Sequence, residues 1–368
     1  MPSTSPVDFD EIAARGRALI LELQDPGGAY PASPTFSAYA GYSWLRDGAF
    51  IADAMSIAGE PASATAFFDW CARTIGLHAS RIEEIVEAAR SGGLVPDERM
   101  LETRFRFDGR PEDDGWENFQ LDGYGLWLWA AVAHAERHGL PLDRWRDAFA
   151  ATVDYLVSSW SRPCYDWWEE HAEHIHVSTL GSIAAGLRAA AASGVLDEAR
   201  TLAARDAAAA ALATITRRGV ADGHLAKWLG ASAVDASLAA LVAPLGVIDP
   251  ASDLARATLD KIERDLVVDG GTHRFAADTY YGGGQWPLLS CFLGLAHLAA
   301  GDRDRAVELY RWAAATERDG SMPEQVEDHL LAPDFVERWV ERWGTSADPL
   351  LWSYAMFLRL GAALEGER

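Results

Sequence analysis

Cysteine is scarce in this sequence, and long apolar runs do not occur in it. The three cysteines, Cys71, Cys164 and Cys291, are odd in number and far apart, which predicts reduced thiols and a cytoplasmic location. No run of about 18 or more apolar residues is found, so we expect no membrane-spanning helix. The first 16 residues are polar and acidic, without the basic start and apolar stretch of a signal peptide.

Positive charge is also scarce, since 32 Lys and Arg residues stand against 55 Asp and Glu residues, for a net charge of −23. So acidic a surface repels phosphate backbones and anionic lipid, and we expect neither nucleic acid nor a membrane as a partner. A neutral small molecule is not disfavoured. The 15 tryptophans are the unusual excess, because an indole ring offers a flat apolar face and one N–H donor, which suit sugar rings as well as a protein core.

Helical patterns recur along the chain, whereas alternating strand patterns do not. Helical stretches end repeatedly at a glycine, the usual left-handed residue after a helix: Gly59, Gly139, Gly194, Gly246, Gly301 and Gly361. Successive gaps are 80, 55, 52, 55 and 60 residues, and a period of about 55 holds two helices and a loop. We therefore predict an all-α fold, an (α/α)6 barrel of six helical hairpins with inner and outer layers. No stretch resembles an inter-domain linker, so residues 1–368 are predicted to form a single domain.

Polar and aromatic residues concentrate in the stretches before the predicted inner helices, such as YSWLRD at 42–47 and YDWWEE at 165–170. In a closed ring these stretches meet at one mouth, where converging polar groups and rings would form a small-molecule site. The alternative is six loops that decorate the surface independently.

Five carboxylates in these stretches are candidates for acid–base chemistry: Asp47, Glu169, Glu170, Asp278 and Glu324. Hydrolysis of an acetal needs a proton donor for the leaving oxygen and, in an inverting enzyme, a base that activates water on the opposite face. The donor stays protonated near neutral pH when apolar rings and a neighbouring carboxylate surround it. The WWEE sequence at 167–170 supplies both, although the chemistry alone does not choose among the five.

Six motifs between Tyr42 and Leu358 occur together in one order. They read YSWLRD, WENFQLDG, YDWWEE, HRFAADTYYGGGQW, PEQV and PLLWSYAMFL. In this order they resemble the motifs of glycoside hydrolase family 15, the glucoamylase family. The resemblance implies an (α/α)6 barrel and inverting exo-hydrolysis that releases β-glucose from a non-reducing end, with no cofactor.

The resemblance also implies roles for individual residues. Glu169 would be the general acid, Glu324 the general base, and Glu170 a contact to the neighbouring sugar, with the two catalytic carboxyls roughly 6.5–9.5 Å apart. Arg104 stands where fungal members have a lysine. The further substrate-binding residues would be Tyr42, Trp44, Arg46, Asp47, Arg104, Trp116, Trp168, Arg274, Tyr281, Trp286 and Trp352.

The chain resembles compact members of the family, without the β-sandwich domain of many bacterial relatives or a starch-binding domain. Small α-glucosides are therefore the expected substrates. The resemblance favours α-1,6-linked isomaltose and isomalto-oligosaccharides, while α-1,4 oligosaccharides and trehalose stay open. The sequence makes no prediction of oligomeric state.

Three other interpretations compete with this one. His171, His174 and His176 follow Glu170 and could bind a metal, although on a helix His176 would face away from the other two, and we predict no metal. The PEDDG motif at 111–115 could bind magnesium and a diphosphate, as in terpene-cyclase-like enzymes, but Pro and Gly predict a loop there and the net charge disfavours an anionic substrate. A non-catalytic helical-repeat glycan-binding protein would have similar loops, whereas these six differ in length and content.

Overall fold

Helices dominate the computed structural model, which describes residues 8–112, 115–116 and 119–366. The helices are α1 (Phe9–Leu23), α2 (Leu45–Ile57), α3 (Pro61–Leu77), α4 (Ala79–Arg90), α5 (Asp122–His138), α6 (Arg146–Ser159), α7 (Val177–Ala192), α8 (Glu198–Arg218), α9 (Ala239–Val242), α10 (Asp253–Leu266), α11 (Pro287–Ala299), α12 (Arg303–Ala315), α13 (Val336–Trp343) and α14 (Leu351–Gly366). Short antiparallel strands pair as β1 (Tyr42–Trp44) with β2 (Arg104–Arg106), β3 (Val220–Ala221) with β4 (His224–Leu225), and β5 (Val267–Val268) with β6 (Gly271–Thr272). Within these ranges no helix is long and apolar enough to cross a membrane.

The inner helices form a closed ring. Each contacts the next in the order α2, α5, α7, α9, α11 and α14, and α14 returns to α2. Almost all of α2 and α11 is buried, whereas outer helices such as α8 and α10 bury one face. The outer layer is α1, α3, α6, α8, α10 and α12. The predicted all-α (α/α)6 barrel is therefore confirmed.

Glycine with a positive φ follows four of the six inner helices within two residues, at Gly59, Gly139, Gly194 and Gly301. Gly246 also has a positive φ, but it lies four residues after the end of α9 and does not end that helix. The prediction was wrong for Gly361, which lies inside α14. A Cβ at Gly361 would come within 2.6 Å of the Tyr310 hydroxyl, so this glycine permits close packing against α12. The long first gap is explained by α4, an additional helix that packs against α6.

The fourth inner helix is shorter than its sequence pattern predicted. In the stretch at 231–246, only a 3₁₀ turn at Ala236–Leu238 and the four residues of α9 are helical. Pro244 explains the stop, because the residue before a proline is disfavoured in the α conformation. Ala243 accordingly adopts an extended conformation.

Helices α5 and α7 approach each other through two glycines. A Cβ at Gly186 would lie 2.1 Å from the Gly125 carbonyl oxygen, and a Cβ at Gly125 would lie 2.3 Å from the Ser182 carbonyl oxygen. Since each clash is with main chain, an added methyl group would force the two helices apart.

Gly186→Ala should therefore lower the free energy of unfolding by about 1–3 kcal/mol, the usual cost of overpacking. Gly76 is the matched control, because it is an exposed glycine of α3 with open space around its Cβ. Gly76→Ala should raise the free energy of unfolding by up to about 1 kcal/mol, since alanine favours helix. Urea unfolding followed by circular dichroism measures both, and equal effects would contradict the close approach.

Candidate active site

A cavity of about 150 Å³ lies at the N-terminal ends of the inner helices. Arg46 and Asp47 reach it from the first turn of α2, Trp286 from the residue before α11, and Trp352 from the first turn of α14. An engineered cavity of about this size binds benzene, so there is room for one six-membered ring. Its walls are Ala32, Phe36, Tyr39, Trp44, Arg46, Asp47, Trp116, Trp167, Trp168, Glu169, Glu170, Arg274, Tyr280, Trp286, Glu324, Trp339, Arg342, Trp343, Leu350 and Trp352.

A tight turn presents Glu169 to the cavity. The Oδ1 atom of Asp166 accepts hydrogen bonds from the main-chain N–H groups of Trp168 and Glu170, both at 2.9 Å. Glu169 between them has a φ of 64°, a left-handed conformation that is uncommon for a residue other than glycine. The stretch 165–176 is a series of turns, and α7 begins only at Val177, so WWEE does not lie at the start of a helix.

The Glu169 carboxyl accepts three hydrogen bonds from neutral donors. Trp44 Nε1 lies 2.5 Å and Gln120 Nε2 3.1 Å from Oε1, and Trp116 Nε1 lies 2.8 Å from Oε2. Burial raises the pKa of Glu169, and although Arg46 and the hydrogen bonds from Trp44 and Gln120 oppose this, the pKa stays raised. A carboxyl group that keeps its proton in such a site can act as a general acid.

Glu324 lies on the wall of the same cavity and is 1% exposed. Its Oε1 accepts a hydrogen bond from the Tyr39 hydroxyl at 3.0 Å, and Tyr39 lies 3.2 Å from the Tyr280 hydroxyl. Its Oε2 is buried without a hydrogen-bond partner among the described residues. Burial raises the pKa of Glu324 to about 7, against the opposing hydrogen bond from Tyr39. Once the Glu324 carboxyl group is ionised, its free Oε2 can accept a proton from a water molecule.

Arg46 and Asp47 form a buried polar cluster beside Glu169. Arg46 Nη1 lies 3.1 Å from Asp122 Oδ2, and Arg46 Nε lies 3.5 Å from Asp47 Oδ2. Arg46 Nε and Asp47 Oδ2 have no hydrogen-bond partner within the described ranges, so both atoms can bind hydroxyl groups of a ligand. Burial raises the pKa of Asp47 to about 7, with the charge of Arg46 opposing it.

Arg274 lies on another wall and is held by two carboxylates. Its Nε donates to Asp278 Oδ2 at 2.7 Å, and its Nη2 donates to Glu170 Oε1 at 3.0 Å. Asp278, one of the five candidate carboxylates, is thus engaged by Arg274 and does not line the cavity.

Every predicted site residue lines this cavity except Tyr42, Arg104 and Tyr281. The Arg104 guanidinium stacks between the rings of Tyr42 and Trp116, at 4.1 and 4.4 Å, and so supports Trp116 from behind. The Tyr281 hydroxyl donates to the Gly344 carbonyl oxygen at 2.8 Å. Its neighbour Tyr280 lines the cavity wall instead.

Sequence reasoning missed several wall residues, namely Phe36, Tyr39, Tyr280, Trp339, Arg342 and Trp343. One signal was available for the last three. Trp339, Arg342 and Trp343 are spaced i, i+3 and i+4, which places them on one face of α13.

A buried ion triad behind the wall was also missed. Lys227 Nζ lies 2.8 Å from Asp166 Oδ2 and 2.5 Å from Asp235 Oδ2, and all three side chains are at most 3% exposed. Asp235 also accepts the Trp168 indole N–H at 2.9 Å. Burial raises the pKa of Asp166, but Lys227, His176 and the hydrogen bonds to the carboxylate together lower it to about 2. The triad therefore links Asp166, which holds the main chain of the Glu169 turn, to Asp235, which holds the indole ring of Trp168.

The three histidines pack around Trp228. His174 stacks on its ring at 4.2 Å, and His176 Nε2 lies 2.9 Å from the His171 carbonyl oxygen. In the part of the chain that the structure describes, no group of three His, Cys, Asp or Glu side chains could hold a metal ion. Asp113 and Asp114 of the PEDDG motif lie outside the described residues.

The family described as Glycosyl hydrolases family 15 matches residues 12–362. An isomaltose glucohydrolase from Kribbella flavida is 51% identical over 356 residues, which are 96% of this chain and 92% of that protein. Two solved glycosidase structures, one of them of a variant in complex with glucose, are each 50% identical to this chain. In both comparisons the TM-score is 0.94 and 97% of each chain is covered. A glucoamylase from Saccharomycopsis fibuligera shows the same fold, with a TM-score of 0.72 at 14% identity. The match covers 99% of this chain and 98% of that one.

Removal of the Lys227 charge tests the triad. Lys227→Met should lower the free energy of unfolding by about 3–5 kcal/mol, because two buried carboxylates lose their counter-charge. Lys261, the other lysine of the chain, pairs with Asp265 in a partly exposed i, i+4 ion pair, and Lys261→Met should cost less than about 1 kcal/mol. Chemical unfolding at pH 7 measures both, and similar losses would contradict a stabilising triad.

Glu324 should make stability depend on pH. Because its pKa is about 7 in the folded protein and 4.5 ordinarily, the folded state binds the proton more tightly and the free energy of unfolding falls as pH rises from 4.5 through 7. Glu324→Gln removes the buried charge and should stabilise the protein at pH 8, by on the order of 3 kcal/mol, with little effect at pH 4.

Urea unfolding of wild type and variant at the two pH values measures this difference. Glu327→Gln is the control, since Glu327 is exposed three residues away and should behave like wild type at both. A Glu324→Gln effect that is the same at pH 4 and pH 8 would contradict a protonated, buried Glu324.

Proposed function

The chain belongs to glycosyl hydrolase family 15, and on that premise we propose that it hydrolyses the α-1,6 bond of isomaltose and short isomalto-oligosaccharides. The chain is a glycoside hydrolase, an exo-acting α-glucosidase. The choice of isomaltose is supported by a relative of that specificity that is 51% identical over almost its whole length. Preferences for α-1,4 bonds or trehalose, and a glycan-binding protein without activity, are not favoured.

The observation that carries the proposal is a one-ring cavity with two buried carboxyl groups of raised pKa on its walls. The cavity of about 150 Å³ suits an exo-enzyme, which takes a single terminal sugar into its deepest site. Glu169 and Glu324 both have raised pKa values because both are buried. Inverting hydrolysis requires two carboxyl groups in one site, one protonated and one ionised.

In the proposed reaction, Glu169 is the general acid. Burial, which raises its pKa, favours the protonated form, and the proton passes to the glycosidic oxygen as the bond to the anomeric carbon breaks. The indole N–H groups of Trp44 and Trp116 then stabilise the carboxylate that remains, since both donate to it.

Glu324 is the general base of the proposal. A water molecule attacks the anomeric carbon from the face opposite to the leaving sugar, and its proton passes to the free Oε2 of Glu324. Tyr39 holds the other oxygen and so fixes the direction of the carboxylate. Attack from that face inverts the configuration, and the glucose released is the β anomer.

Arg46 and Asp47 are proposed to bind hydroxyl groups of the terminal glucose. Their Nε and Oδ2 atoms are buried at the wall and have no hydrogen-bond partner within the described ranges. Trp168, Trp286 and Trp352 supply apolar faces for the C–H groups of the ring. We also propose that residues 1–368 form one catalytic domain and that the protein is cytoplasmic.

Glucose release from isomaltose, panose, maltose, kojibiose, nigerose and trehalose tests the proposal. The highest kcat/KM is expected on isomaltose, and proton NMR of the fresh product should show β-glucose before mutarotation. A clear preference for maltose or trehalose would overturn the linkage, and α-glucose at early times would overturn the mechanism.

One substitution and its matched control test the role of Glu324 as the general base in the same assay. Glu324→Gln should lower kcat by about 10²–10⁴-fold, because the attacking water loses its base. Glu327→Gln, on the exposed side of the same segment, should leave kcat unchanged. A Glu324→Gln variant that keeps its activity would show that Glu324 is not the general base.

A further inference from the structure

Helix α13 forms part of the cavity rim. All eight of its residues are at least partly exposed, yet Trp339, Arg342 and Trp343 line the cavity. The opposite side of the helix carries the exposed Glu337 and Glu341. A short exposed helix that turns two indole rings and a guanidinium toward a cavity resembles a binding surface more than a structural support.

The position of this rim follows from two ring contacts. Trp343 packs against Trp116, with ring centroids 5.8 Å apart, and Trp339 packs against Tyr280 at 5.0 Å. Trp116 in turn donates its indole N–H to Glu169 at 2.8 Å. The inner face of α13 therefore lies just beyond the proposed proton donor.

The proton donor defines where the leaving sugar lies. Glu169 must reach the glycosidic oxygen, and when one glucose ring fills the cavity, the second ring extends from that oxygen toward the rim. The residues next to Glu169 on the rim side are Trp116 and, in contact with its ring and also lining the cavity, Trp343. The leaving sugar thus meets the face of α13.

Arg342 has the free donors that such a sugar needs. Its guanidinium lies 5.7 Å from the centroid of Trp339 and 5.1 Å from that of Trp343, so two rings restrict its orientation. It makes no hydrogen bond or ion pair with any residue in the described ranges. An arginine carries five N–H donors in a planar group, and those at its edges are free to bind hydroxyls.

From this geometry we propose that the Trp339–Arg342–Trp343 face of α13 binds the leaving sugar. Arg342 donates hydrogen bonds to its hydroxyls, and Trp343 offers it an apolar surface. This inference rests on the proposed function, because it takes Glu169 as the acid and an α-glucoside as the substrate.

A substrate without a leaving sugar separates this role from all others. α-Glucosyl fluoride places a glucose ring in the cavity but releases only fluoride, so it makes no contact with α13. The quantity to measure is the ratio of kcat/KM on isomaltose to kcat/KM on α-glucosyl fluoride. Arg342→Ala and Trp343→Ala should each lower this ratio by about 10-fold or more, the loss expected when hydrogen bonds from a charged donor or a stacked ring are removed.

Two variants of the same helix are matched controls. Arg338 is an exposed arginine and Val340 an exposed apolar residue of α13, and neither lines the cavity, so Arg338→Ala and Val340→Ala should keep the wild-type ratio. Arg342→Lys retains the charge without the planar group and should lie between Arg342→Ala and wild type. It also provides a second test if an alanine variant folds poorly.

An Arg342→Ala variant that loses activity equally on both substrates, or on neither, would overturn the proposal. The proposed function fails differently, through a wild-type enzyme that cleaves another disaccharide instead of isomaltose. In that case the ratio is measured on the disaccharide that is cleaved, with the same expected loss. If the wild type cleaves neither a disaccharide nor the fluoride, both proposals are wrong.

Discussion

Burial of two carboxyl groups against aromatic rings is the constraint that the rest of the site has to accommodate. Removing Glu169 and Glu324 from water raises both pKa values and so favours the protonated form of each group. The same burial makes their ionised forms costly for the folded state. A ring of packed helices tolerates this cost because its stability comes from a core that surrounds the site.

The other buried charges near the cavity are paired. Lys227 lies between Asp166 and Asp235, Arg46 beside Asp122, and Arg274 beside Asp278. These pairs fix the orientation of the site, since Asp166 holds the Glu169 turn and Asp235 holds Trp168. By contrast, Glu324 Oε2 and Asp47 Oδ2 have no hydrogen-bond partner among the described residues. These two oxygens, which the protein itself does not satisfy, are those proposed to accept a proton from water and to bind a sugar hydroxyl.

Much of the fold could be predicted because it depends on local patterns. Glycine spacing indicated the six hairpins, and the small, apolar character of α7 and α11 indicated an inner layer. The errors have local physical causes as well. Pro244 shortens the fourth inner helix, and Gly361 is a packing residue inside α14, which a pattern of helix-ending glycines does not distinguish from a cap.

The sequence by itself determined the barrel, the family resemblance and the candidate carboxylates, because these depend on residue order and helix periodicity. Tertiary structure decided which side chains reach the cavity, since side-chain direction depends on backbone conformation. Tyr281 adopts a φ of 48°, so Tyr280 lines the wall while the Tyr281 hydroxyl bonds to Gly344. Arg104 pairs through β2 with β1 and stacks behind Trp116, and α13 contacts the loop of Trp116 across more than 200 positions of sequence. Contacts over such separations exist only once the ring has closed.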